Sequence, residues 1–100
     1  SYSAIIVREY NDDIKGFDDL KGKRYTHSVN SMWIPIVEKY GAKLVVADSL
    51  SNQINLIITK RADDTIDDAV MFYDYKQAPK SPNKADRSRR RSDVCGCDRT

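Results

Sequence analysis

The chain alternates short apolar runs with helical patterns, and this alternation limits the folds open to it. Three strand patterns are each followed by a helical pattern: 24–27 and then 31–40, 43–47 and then 50–60, 64–67 and then 68–75. Strand–helix repeats at this spacing predict parallel strands joined by right-handed crossovers. A further β-branched run at Ser3–Arg8 predicts a strand ahead of them. The expected fold class is therefore α/β, a small three-layer sandwich with a mainly parallel sheet.

The helix predicted over 31–40 has the clearest periodicity. Trp33, Ile36, Val37 and Tyr40 recur at helical spacing, and Gly41 stands just past the end. We therefore expect Trp33 and Tyr40 to face the core, although Trp33 could instead line a cleft. For the second helix, Asp48 and Ser49 are expected to supply the N-cap. Its apolar stripe is expected at Leu50, Ile54, Ile57 and Ile58.

Charge divides the chain into two parts. Residues 1–78 carry 10 basic and 12 acidic side chains, whereas residues 79–100 carry 7 and 3. We expect one α/β lobe over 1–100, with its core in 1–78. Residues 79–100 are expected to form a basic loop and a possible returning strand near Val94–Cys97. No apolar run approaches the roughly 20 residues that span a bilayer, and we recognise no signal peptide.

Polar side chains stand where two of the predicted strands end. Asp67 and Asp68 close the strand at 64–67, and Asn30 and Ser31 open the helix after the strand at 24–27. Open α/β sheets bind ligands outside the carboxyl ends of their strands. A helix start attracts an anion and a carboxylate attracts an ammonium. The pair suits a zwitterion, provided that both groups open onto one rim.

The order of motifs resembles the amino-acid-binding extracytoplasmic solute-binding proteins, the receptors of ATP-driven (ABC) importers. The resemblance rests on the segments D-I-K-G-F-D-D-L-K-G-K-R (13–24), N-S (30–31), Y-G-A-K-L-V-V-A-D-S-L (40–50) and R-A-D-D-T-I-D-D-A-V (61–70). It covers about three quarters of the chain and is closest to the polar amino-acid and cystine branches. It implies the second lobe of a type II periplasmic-binding-protein fold, with hinge strands at both ends.

The resemblance also implies roles for particular residues. The family's ligand carboxylate is held by a Gly-Ser/Thr-Thr turn, which matches Asn30, Ser31 and Met32, and its ligand ammonium is held by an aspartate, which matches Asp68. Ser28 lies near the cleft by position and is a candidate contact for the ligand side chain. Asn in place of Gly is expected to keep the turn because Asn tolerates a positive φ. Met32 would contribute its backbone N–H.

The resemblance further implies that the chain is a fragment whose partners are an amino-acid ligand, the missing first lobe and a membrane permease. The location would be outside the cytoplasm, in the periplasm or on a cell-surface lipoprotein. Neither catalysis nor a cofactor is expected, because His27 has no nucleophile or paired carboxylate in a catalytic spacing. We read His27 as structural or cleft-lining.

Simpler and rival interpretations remain open at the level of sequence. Ser31 and Asp68 could be only helix N-caps, and Asp67 a solvated neighbour. The acids Asp63, Asp64, Asp67 and Asp68 could instead bind Mg²⁺ in a receiver-like regulatory module. The arginines of 87–91 could bind nucleic acid, although no aromatic residue interleaves them and a solvated basic loop is favoured.

Overall fold

The computed structural model describes residues 3–78 and 94–98, which form five strands and three helices. In chain order these are β1 (Ser3–Arg8), a 3₁₀ turn (Phe17–Asp19), β2 (Arg24–His27), α1 (Ile34–Lys39), β3 (Lys43–Val46), α2 (Leu50–Ile58), β4 (Thr65–Asp68), α3 (Ala69–Gln77) and β5 (Val94–Asp98).

The strands stand in the order β3-β2-β4-β1-β5. β1 pairs antiparallel with both β4 and β5, and β2 pairs parallel with β3. A parallel bridge between Tyr25 and Asp64 joins the two groups of strands, and the Thr26 N–H donates to the Asp64 carbonyl at 2.9 Å. Four of the five described strands therefore point in one direction, and β1 runs against them. The predicted α/β class is confirmed.

Helices cover both faces of the sheet, which gives three layers. Successive residues of a strand point to opposite faces, and β1 shows this directly. Ile5 and Val7 join a cluster with Leu20 and α1, whereas Ile6 joins one with α2 and α3. The predicted stripe of α2 is correct at Ile54 and Ile57, both fully buried.

The first helix is shorter than predicted. It begins at Ile34 rather than at residue 31, because residues 31–33 form a turn instead. In that turn the Ser31 Oγ accepts the Trp33 N–H at 3.1 Å. Pro35 lies in the first helical turn, where its missing N–H costs little. Val37 is fully buried, but Tyr40 is 38% exposed and packs at the edge against Phe17.

The strand predicted at 43–47, whose apolar run suggests a buried position, lies at the edge of the described sheet. β3 covers Lys43–Val46 and has β2 as its one described neighbour, so Lys43 and Val46 face solvent. An apolar run does not reveal whether a strand lies at the centre or the edge of a sheet. Two helix ends also differ slightly from the prediction. α2 ends at Ile58 rather than at residue 60, and α3 ends at Gln77 rather than at residue 75.

The predicted strand at Val94–Cys97 is present as β5 and extends to Asp98. It pairs with β1 over five positions, from Arg8 opposite Val94 to Ala4 opposite Asp98. The basic loop predicted before it, including 87–91, lies outside the described residues.

Candidate functional site

A groove opens where β2 and β4 end. It has a volume of about 400 Å³ and is lined by Ser3, His27, Ser31, Met32, Trp33, Ile66, Asp67 and Asp68. Because β2 and β4 are parallel and bridged, the carboxyl ends of the two strands meet at one edge. The groove therefore brings together three of the predicted residues, Ser31, Met32 and Asp68. Its size falls within the usual range for small-molecule sites.

Asp68 is the last residue of β4 and caps α3. Its Oδ1 accepts the N–H groups of Val70 at 2.8 Å and Met71 at 3.3 Å. The N-cap role considered from sequence is therefore correct. A carboxylate has about four acceptor positions, so capping a helix and contacting a ligand are compatible. The two helix bonds also fix the orientation of the carboxylate at the groove.

The turn that carries Ser31 and Met32 forms the facing wall. The Ser31 N–H donates to the Ser28 carbonyl at 3.2 Å, so this amide is already used within the turn. The Met32 N–H makes no hydrogen bond to the part of the chain that the structure describes, and Met32 as a whole residue is 77% exposed. The usable donors on this wall are therefore the Ser31 hydroxyl and the Met32 amide.

Asn30 and Ser28 lie in the same turn but outside the lining of the groove. Asn30 is exposed, and the positive φ expected of it is wrong, since Lys60 is the one non-glycine residue with positive φ in 3–78 and 94–98. Ser28 instead donates its backbone N–H to His27 Nδ1 at 2.8 Å.

His27 and Asp67 form a pair in the groove wall. Because His27 Nδ1 accepts from Ser28, the neutral ring carries its hydrogen on Nε2, which lies 3.9 Å from Asp67 Oδ2. Asp67 Oδ1 accepts the Asp68 N–H at 2.8 Å. The reading of His27 as cleft-lining is consistent with this place. The interpretation of Asp67 as a solvated neighbour is wrong, since its side chain is 18% exposed and bonded within the wall.

The four acids of the rival magnesium interpretation do not converge. Asp63 faces two arginines: its carboxylate accepts the Arg24 N–H at 2.8 Å and lies 3.4 Å from the guanidinium groups of Arg8 and Arg24. Desolvation alone would raise the pKa of Asp63, but the bonds from Arg24 and Arg8 outweigh it and hold the pKa below its usual value. Asp64 lies fully buried in the core. Within the described ranges, no three His, Cys, Asp or Glu side chains come together to hold a metal ion.

Comparison with known proteins finds relatives that are named as binding proteins of ABC transporters. The chain is 37% identical over 82 residues to a probable amino-acid ABC transporter-binding protein of Haemophilus influenzae, an alignment that covers 81% of this chain and 32% of the relative. It is 38% identical over 56 residues to a probable ABC transporter extracellular-binding protein of Bacillus subtilis, covering 53% of this chain and 19% of that protein. No protein-family profile matches the chain.

Solved structures agree with these relatives. The unliganded, open L-cystine solute receptor of Neisseria gonorrhoeae superimposes with a TM-score of 0.75 at 28% identity, covering 95% of this chain and 35% of that one. The chain is similar in sequence and in structure to amino-acid-type solute-binding proteins, and the predicted type II periplasmic-binding-protein fold is confirmed. An ancestral arginine-binding protein bound to glutamine follows with a TM-score of 0.72 at 26% identity, covering 99% of this chain and 40% of that one.

The chain spans about a third of the length of the Haemophilus influenzae relative, whereas the alignment covers most of the chain itself. It therefore corresponds to one part of that relative. None of the helices in the described part of the chain is long and apolar enough to cross a bilayer.

Sequence reasoning missed two groups at this site. Ser3 reaches the groove because β1 pairs antiparallel with β4, which places Ser3 opposite Asp68. Tyr25 lies behind the groove, where its hydroxyl contacts the Ser31 Oγ at 3.4 Å. Both depend on which strands are neighbours in space, a property that no local pattern in the sequence carries.

Proposed function

We propose that this chain is the second lobe of an amino-acid receptor that serves an ATP-driven importer. The observation that carries the proposal is the shared groove. A capping carboxylate, Asp68, stands on one wall, and two hydrogen-bond donors, the Ser31 hydroxyl and the Met32 N–H, stand on the other. This arrangement offers opposite polarity to the two ends of an amino acid.

In this proposal Asp68 accepts from the ligand ammonium, and the Ser31 hydroxyl and Met32 N–H donate to the ligand carboxylate. Bonds of this kind are charge-assisted and strengthen when water is excluded. The first lobe, from elsewhere in the receptor, would close over the groove and complete the contacts. Asn30 and Ser28 would shape the turn rather than touch the ligand.

The ligand is proposed to be a polar amino acid or cystine. The resemblance to an L-cystine receptor and to an arginine-binding protein bound to glutamine supports this class. The receptor would act outside the cytoplasm and deliver its ligand to a membrane permease, in keeping with relatives named as transporter-binding and extracellular-binding proteins. Its action would be binding and release without catalysis.

Isothermal titration calorimetry on the complete two-lobe protein tests the proposal. We expect the Asp68→Asn variant to bind its amino acid about 10- to 100-fold more weakly, because one bond to a charged group is lost. Asparagine is as good an N-cap as aspartate, so α3 should persist. The control is Asp74→Asn, which changes an exposed acid on the same helix. Equal affinity for Asp68→Asn and wild type would contradict the assignment.

A further inference from the structure

A buried tyrosine supports the groove from behind. Tyr25, on β2, is fully buried, and its hydroxyl lies 3.4 Å from the Ser31 Oγ. The ring stands 6.0 Å from that of His27, which lines the groove. Tyr25 therefore contacts the donor wall of the groove without lining the groove itself.

The direction of the Tyr25–Ser31 hydrogen bond follows from counting donors and acceptors. A serine hydroxyl has one hydrogen to donate and two positions that accept. The Ser31 Oγ already accepts the Trp33 N–H at 3.1 Å. If Ser31 also gave its hydrogen to Tyr25, the buried Tyr25 hydroxyl hydrogen would have no acceptor among the described residues. A buried donor without a partner is costly, so Tyr25 donates and Ser31 accepts.

The Ser31 hydrogen is then left to point into the groove. We propose that Tyr25 is a positioning residue, which occupies the second acceptor position of Ser31 and thereby aims the Ser31 hydroxyl hydrogen at the carboxylate of the bound amino acid. This inference rests on the proposed function.

The chemistry of Tyr25 keeps this donor in place. Burial, together with the nearby carboxylates Asp64 and Asp67, raises the pKa of Tyr25 to about 12, against a smaller opposing effect of the Ser31 bond. The phenol therefore holds its hydrogen over the whole range in which the receptor would work. Nothing in the arrangement requires Tyr25 to move when a ligand arrives.

A double-mutant cycle on the complete two-lobe protein tests the inference. The four proteins are wild type, Tyr25→Phe, Ser31→Ala and the double variant. The probe is the tightest binder among L-cystine, L-glutamine and L-arginine, titrated beside its α-carboxamide, which lacks the carboxylate charge. We expect Tyr25→Phe to weaken binding of the amino acid about 3- to 10-fold and to leave binding of the amide nearly unchanged. In the Ser31→Ala background, Tyr25→Phe should have no further effect.

Each outcome separates the inference from the proposed function. Equal losses from Tyr25→Phe with and without the Ser31 hydroxyl, or equal losses for acid and amide, would overturn the positioning role. Failure of all three amino acids to bind wild type would instead overturn the proposed function. If Tyr25→Phe does not fold, as judged by Trp33 fluorescence, 3-fluorotyrosine takes its place at position 25, because it keeps the ring and makes the hydroxyl a stronger donor. It must change the discrimination between acid and amide only while the Ser31 hydroxyl is present, and an equal change in the Ser31→Ala background would overturn the positioning role.

Discussion

The burial of Asp64 leads us to expect that the free energy of unfolding falls as the pH rises. Asp64 immediately precedes β4 and is fully buried. Neither of its carboxylate oxygens accepts a hydrogen bond from the described residues. Burial, and to a lesser degree the neighbouring charge of Asp63, raises the pKa of Asp64 from 3.8 to about 7, against a smaller opposing effect of Lys23. The folded protein therefore holds a proton that the unfolded chain releases.

The size of the effect follows from this shift. Each pKa unit corresponds to about 1.36 kcal/mol, so a shift from 3.8 to about 7 amounts to about 4 kcal/mol. Because the pKa of the folded state is the higher one, Asp64 favours folding least when it is ionised. The contribution of Asp64 to the free energy of unfolding is fully present below pH 3.8. It is lost as the pH rises from 3.8 through about 7, and it stays constant above that. A loss of this size is a large part of the 5–15 kcal/mol typical of a domain.

The perturbation is Asp64→Asn, which keeps the shape and removes the ionisation. Urea unfolding of both proteins, followed by the fluorescence of Trp33, the single tryptophan, gives the free energy of unfolding at each pH from 4 to 8. We expect the stability of the variant relative to wild type to rise by about 4 kcal/mol across this range. Asp18→Asn, at an exposed acid, is the control. A relative stability that stays constant within about 1 kcal/mol would refute the reasoning.

Two further substitutions test packing and ligand charge. A Cβ added at Gly96 would lie 2.8 Å from Cε2 of the buried Phe72 ring, so Gly96→Ala should cost about 1–3 kcal/mol in urea unfolding. Gly16→Ala, where a Cβ meets nothing within 4 Å, should cost far less, and equal costs would contradict the packing argument. Asp67 lines the groove, so in the proposed receptor Asp67→Asn should weaken any binding of arginine about tenfold by calorimetry and leave binding of its neutral isostere citrulline unaffected. Parallel losses for both ligands would show that Asp67 acts on the wall and not on ligand charge.

The elements of the fold could be read from the sequence wherever the signal is local. An N-cap for α2 was expected from Asp48 and Ser49, and Ser49 supplies it, because its Oγ accepts the Asn52 N–H at 3.2 Å. The helical period also identified the buried face of α2 at Ile54 and Ile57. The start of α1 could not be predicted in the same way. Ser31 is a good capping residue, but its hydroxyl binds the Trp33 N–H in a preceding turn and the helix begins only at Ile34.

The candidate site was predictable in part for the same reason. Asp68 ends a strand and begins a helix, which is a local property, and its place at a sheet edge follows from the strand–helix order. The burial of Asp64 was not predictable, because an acid three residues after Arg61 in a polar stretch resembles a surface residue. Only the bridge to Tyr25 on β2 places it in the core. The same non-local pairing brings Tyr25 behind Ser31.

The groups that would hold the ligand are also groups that the fold uses, and this makes the site rigid before a ligand binds. Asp68 is oriented by two N–H groups of α3, and Ser31 by the Trp33 N–H and the Tyr25 hydroxyl. Side chains held in this way lose little conformational freedom on binding, so more of each contact appears as affinity. For this reason Asp68→Asn, which keeps the cap, separates recognition from folding, whereas Asp68→Ala would change both together.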